Sequence, residues 1–266
     1  KVESSLPSIS DLSARTLDNI RKYWEVKSAR KRSRSARFLG FGGEKIRLLA
    51  EGDSWFDFKI TDDVIDVLAD DYDYDIENVA AAGACVYEMS YGPNDDQLGD
   101  MFDRDPSQLA EVVRLIGEHR PQALLLSGAG NDFAGPEFIM VIHHAMAKKS
   151  GLNEKLIRSL FADEIEPAYR LVIETCTQAA RDAGLGSLPI LVHGYDYAFP
   201  DGRKAVNIPF GLYSIGPWMH DSFLKKGYPY DDRDEDLKVR REMVKKLIDA
   251  LYEMHARIAG DWKNVH

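Results

Sequence analysis

Apolar residues along this chain follow two rhythms. Short apolar runs near 46–51, 75–80, 122–127 and 188–194 are long enough for buried strands and too short for helices. Between and after them, near 61–70, 106–119, 163–184 and 235–259, apolar positions recur at three- and four-residue spacing. That spacing predicts amphipathic helices. In the last of these, Leu237, Val244, Leu247, Ile248, Leu251 and Met254 mark one face, and Gly260 stands where a helix end is expected. Apolar strands alternating with helices predict a parallel sheet covered on both faces. The fold class is α/β: a three-layer α/β/α domain of flavodoxin-like strand order.

The ends of the apolar runs carry the candidate chemistry. The run Ile46 to Ala50 breaks at Gly52-Asp53-Ser54, and a helix-like stretch from Asp62 to Leu68 follows. Ligands of open α/β sheets bind outside the carboxyl ends of the strands. A serine there, in a turn whose N–H groups point outward, suits a nucleophile beside an oxyanion site. The plainer reading is that Asp53 and Ser54 cap the following helix. A second run, Ile76 to Ala82, ends at Gly83. A third, Gln122 to Leu126, ends in Ser127-Gly128-Ala129-Gly130-Asn131-Asp132.

With these three blocks in order, the chain resembles the SGNH/GDSL hydrolase family from about Lys45 to its end. The resemblance implies Ser54 as nucleophile, with the Ser54 and Gly83 backbone N–H groups and the Asn131 side chain as oxyanion hole. It implies a serine hydrolase acting on a carboxylic ester, of esterase, lipase or deacetylase type, through an acyl-enzyme and without a cofactor. Two departures stand out. The family's third block usually reads Gly-x-Asn-Asp, and Ala129 takes the place of its glycine. The family's last block, Asp-x-x-His, supplies the general base. The residues three before the seven histidines are Ile116, Met140, Val141, Ile190, Pro217, Tyr252 and Lys263. None is aspartate. The chain stops at Trp262-Lys263-Asn264-Val265-His266, where the next strand should begin, and it starts at Lys1. The expectation is a fragment with its last strand cut short and its base beyond residue 266. His193, at the end of the fourth strand, and His266 are the candidates to replace that base. The alternative function is a non-catalytic small-ligand or carbohydrate-binding module that keeps the pocket and lacks the base; a nucleotide binder using the same strand ends is a third possibility.

Domain organisation follows from spacing and charge. Residues 1–44 form a helical and basic extension, with a basic run at 27–37 that includes Arg30, Lys31, Arg32 and Arg34. Its bland reading is a solvated helix or linker. Residues 45–266 form the hydrolase-like domain, with insertions at about 133–160 and 199–234. Both insertions leave from the carboxyl ends of strands, where long loops build lids and binding walls. The second carries Phe199, Phe210, Tyr213, Trp218, Phe223, Tyr228 and Tyr230, either as a wall for an acyl or sugar group or as the insertion's own small core.

Composition narrows the partners. A net charge of −10 over 266 residues argues against nucleic acid. Cys85 and Cys176 are too few for a disulfide framework and suit a reducing, cytoplasmic setting. No apolar run reaches membrane-spanning length. Asp71, Asp73 and Asp75 start like a calcium loop, but Ile76 replaces its glycine, and His143-His144 lacks further ligands. No metal site is expected. The expected partner is a small-molecule ester; the oligomeric state is left open.

Overall fold

The computed structural model describes residues 45–58, 62–92, 108–204, 206–207, 214–229 and 234–266. The basic run at 27–37 lies outside the described residues, as do Phe210, Tyr213 and Tyr230.

Four parallel strands form the central sheet. They are β1 (Arg47–Glu51), β2 (Asp75–Asn78), β3 (Ala123–Leu126) and β4 (Ile190–Val192), in spatial order β2-β1-β3-β4. Val265 adds a parallel bridge on the free edge of β4, opposite Ile190. The His266 N–H donates to the Ile190 carbonyl at 2.9 Å, and the Val192 N–H donates to the His266 carbonyl at 2.9 Å. The order is therefore 2-1-3-4 with a fifth position beside β4, which is the flavodoxin-like arrangement.

Side chains alternate across β1 and β3, and each set finds a different layer. Leu48, Ala50 and Leu125 pack with Phe56 and with Ile65 of α1 (Val64–Tyr72). Leu49, Leu124 and Leu126 face the opposite layer. That layer holds α2 (Val86–Tyr91), α3 (Gln108–His119), α6 (Glu166–Asp182) and α8 (Asp234–Asp261). In α8, Val244, Leu247, Ile248, Leu251 and Met254 of the predicted face are buried, and Ile258 extends that face toward the helix end. The helix predicted from 163 starts earlier: α5 (Glu154–Ser159) runs through a π-helical stretch, Leu160–Ile165, into α6.

The start of α1 corrects the capping reading of Asp53 and Ser54. The cap is Asp63, whose carboxylate accepts the Ile65 and Asp66 N–H groups at 2.8 and 2.9 Å. Asp66 answers with a bond from the Asp63 N–H, which completes a capping box. Asp53 and Ser54 are left in the preceding turn.

Both insertions carry structure of their own. The first follows α4 (Gly130–Phe133) and contains a short 3₁₀ turn at Pro136–Met140 and a two-stranded ribbon pairing Ile142–His143 with Gly151–Leu152. The second contains a ribbon pairing Val206–Asn207 with Ser214–Ile215, then α7 (His220–Lys225). Its aromatic residues divide between the two roles expected of them. Phe223 is buried between Phe138 and the buried Tyr228, whereas Trp218 is 49% exposed and lines a cavity. Among the described residues, no helix is long and apolar enough to cross a membrane.

Candidate active site

Three turns leave the carboxyl ends of β1, β2 and β3, and hydrogen bonds join them in a ring. The first, at 52–57, meets the second twice. The Ala81 N–H donates to the Gly52 carbonyl at 2.9 Å, and the Ala82 N–H donates to the Asp57 carboxylate at 3.1 Å. The second, at 81–86, meets the third through Asn131, whose amide donates to the Ala84 carbonyl at 2.9 Å. Asp132 adds a bond from the Val86 N–H at 2.9 Å. The third returns to the first through Ser127, whose hydroxyl donates to Asp53 at 2.9 Å.

Close approach sets two of the glycines. A Cβ on Gly52 would lie 2.8 Å from Ser127, and one on Gly130 would lie 2.8 Å from the Tyr195 ring. Gly83 takes a left-handed φ of 82°, which glycine adopts without strain. Ala129 takes φ 80° as well. The turn survives the family's missing glycine, but an L-residue in that region costs about 1–2 kcal/mol.

A cavity of about 480 Å³ opens beside the first and third turns. Ser54 and Asn131 are both on its wall, with Trp55, Phe133, Trp218 and Ile248 among the apolar neighbours. Gly83 is not among the lining residues, although the Asn131 bond ties its turn to the wall. Among the described residues, no hydrogen bond joins a histidine to the Ser54 hydroxyl, and no histidine lines the cavity. His193 lies behind the wall. Its Nδ1 is 3.5 Å from the Ser127 hydroxyl, and its ring meets those of Trp55 and Phe56. Burial lowers its pKa, against an opposing pull from the Asp53 carboxylate. His266 belongs to the strand position beside β4, three strand spacings from β1, or about 14 Å across the sheet.

Several polar contacts at this end are not part of the sequence reading, which takes Asp53 only as a helix cap. Asp53 is 1% exposed, and its carboxylate accepts bonds from Ser127, from the Trp55 N–H and from the Tyr195 hydroxyl. Tyr195 is buried, and burial together with the Asp53 charge raises its pKa well beyond the ordinary phenol value, so it stays a donor. Glu51, the last residue of β1, is buried as well. Burial holds its carboxyl well above the usual range, Gln108 donates to one oxygen at 2.8 Å, and the other is buried without a partner among the described residues. The short hydrophobic run of β1 gave no sign that its last residue points into the core.

No protein-family model matches this chain, and no curated protein matches it. Solved structures similar to it include TesA, at 14% identity, TM-score 0.29, covering 78% of this chain and 97% of that one. AlinE4, described as an SGNH-hydrolase family esterase, matches at 12% identity and TM-score 0.30, covering 80% and 98%. A GDSL-like lipase from Bacteroides thetaiotaomicron matches at 12% identity and TM-score 0.23, covering 83% and 97%. The last two descriptions name the family whose blocks the sequence resembles. These are remote likenesses, and the fold assignment rests on the sheet order and layers described above.

Proposed function

We propose that the protein is a serine hydrolase that cleaves a carboxylic ester of a small molecule. The observation that carries this reading is the cavity at the carboxyl ends of β1 and β3, with Ser54 and Asn131 both among its lining residues. Ser54 Oγ attacks the ester carbonyl carbon, and its proton passes to a general base. The carbonyl oxygen gathers negative charge, which the Ser54 N–H, the Gly83 N–H and the Asn131 amide stabilise. The intermediate collapses with loss of the alcohol, and water then cleaves the acyl-enzyme. Asn131 spends one amide hydrogen on Ala84 and keeps a second for the oxyanion. The base is the component that the cavity wall among the described residues does not supply. The family resemblance draws it from an Asp-x-x-His block, which none of the seven histidines of this sequence forms.

The test is covalent labelling. A fluorophosphonate probe should modify the protein at Ser54, and Ser54→Ala should abolish the modification while leaving thermal unfolding within a few degrees of wild type. A panel of short- and long-chain p-nitrophenyl esters reads turnover in parallel. Labelling that persists in Ser54→Ala removes Ser54 as nucleophile. Saturable ester binding with neither labelling nor turnover would establish the binding-module reading instead.

A further inference from the structure

We infer that Tyr195 is a positioning residue for Ser54, acting through the buried carboxylate of Asp53. The inference rests on the hydrolase reading and assigns a part to a residue outside the three sequence blocks.

The argument starts at Asp53. Its carboxylate is buried at the end of β1, next in sequence to Ser54. An anion in that position is tolerated only when donors surround it. It has three: Ser127 Oγ at 2.9 Å and the Trp55 N–H at 3.1 Å on one oxygen, and the Tyr195 hydroxyl on the other. The Asp53 main chain is held too, because its carbonyl accepts the Phe56 and Asp57 N–H groups at 2.9 and 3.1 Å. The peptide units flanking Ser54 are thereby fixed by one aspartate. Among the described residues, no acceptor takes the Ser54 N–H, so that donor stays available for an oxyanion.

Tyr195 is itself held from three sides. Its carbonyl accepts the Tyr252 hydroxyl of α8 at 2.7 Å. Its ring covers Gly130 so closely that a Cβ there would collide with it. Its edge meets Trp55 at a centroid distance of 6.1 Å. One side chain therefore touches both halves of the proposed oxyanion hole. The hydroxyl fixes the Asp53–Ser54 turn, and the ring fixes the Gly130–Asn131 turn. Oxyanion donors act on the transition state only when they are already aimed at it. Loosening this contact should therefore slow the chemical step more than it weakens substrate binding.

Tyr195→Phe tests the idea, because it keeps the ring against Gly130 and removes the hydroxyl that donates to Asp53. The expected result on p-nitrophenyl acetate is a fall in kcat of about 10- to 100-fold with KM within about twofold. Fluorophosphonate labelling should slow by a similar factor. A kcat at the wild-type level, or a raised KM with kcat unchanged, overturns the inference and leaves Tyr195 as a plain wall. If Tyr195→Phe fails to fold, Ser127→Ala removes the second side-chain donor and carries the same expectation and the same refutation. Wild-type protein that neither turns over esters nor labels at Ser54 refutes the hydrolase reading itself, and this inference with it. Labelling of wild type together with an unaltered rate in the variants refutes only the inference.

Discussion

At the scale of single residues, two ionisable groups oppose each other across the acidic range. Burial holds the Asp132 carboxyl up to about 6 from an ordinary 3.8, despite its bond from the Val86 N–H. The folded protein thus keeps a proton that the unfolded chain releases between about pH 4 and pH 6, and stability falls as pH rises through that window. His255, packed edge-on against Tyr169, is pushed by burial down to about 4 from 6.5. Here the unfolded chain takes up a proton that the folded protein refuses, so stability falls as pH drops from about 6.5 to about 4. The two slopes nearly cancel, each reaching at most about 1.4 kcal/mol per pH unit and less where water still reaches the group. Removing either group should expose the other. Asp132→Asn should lose stability on acidification below about pH 6.5 more steeply than wild type. His255→Phe should gain stability from about pH 6 down to about pH 4. Urea unfolding of both variants and wild type across about pH 4 to 7 checks this, and parallel curves for all three would contradict it.

Among the elements, the second insertion is attached to α8 by one buried cation. Arg240 is 2% exposed, and its guanidinium donates to the carbonyls of Pro200, at 3.0 Å, and of Pro229. Those carbonyls lie near the two ends of the 199–234 insertion. Arg240→Met keeps much of the volume and leaves both carbonyls short of a donor, a loss of roughly 2–3 kcal/mol. Chemical denaturation should show that loss, and limited proteolysis should cut first within the insertion. An unchanged midpoint and cleavage pattern would mean that the insertion is held elsewhere. No periodicity in the sequence announces such a bond, since Arg240 sits among charged residues that read as the exposed face of a helix. What the sequence did show were features with a repeating physical cause. The strands lie within a few residues of their apolar runs, and α8 buries the face that its spacing predicts. Helix α2 escaped, because six residues are too few to display a period. The polar group around Asp53 escaped for another reason. It joins residues 53, 127 and 195, and side-chain bonds across that separation leave no local pattern.

Across the whole molecule, the sheet and the insertions divide the proposed chemistry between them. The turns of the sheet bring Ser54 and Asn131 to the cavity, on a scaffold cross-linked by backbone and buried side-chain bonds. The rest of the lining includes later chain: Trp218 and Met219 from the second insertion, and Ile248 from α8. A wall of that kind contacts the substrate equally before and during reaction, so it supplies binding that does not distinguish the transition state. Trp218→Ala should therefore raise KM for long-chain p-nitrophenyl esters by about 10-fold, the size of one lost aromatic contact, and leave kcat within about twofold. Asn131→Ala should do the reverse. In the proposed oxyanion hole its amide meets charge that develops only in the transition state, so kcat should fall by about 100-fold or more while KM moves little. Short acyl chains that do not reach Trp218 should feel only the second substitution. Steady-state kinetics of the two variants on acetyl and octanoyl esters settles the division. If Trp218→Ala lowers kcat on both esters alike, the insertion takes part in the chemical step and is more than a wall.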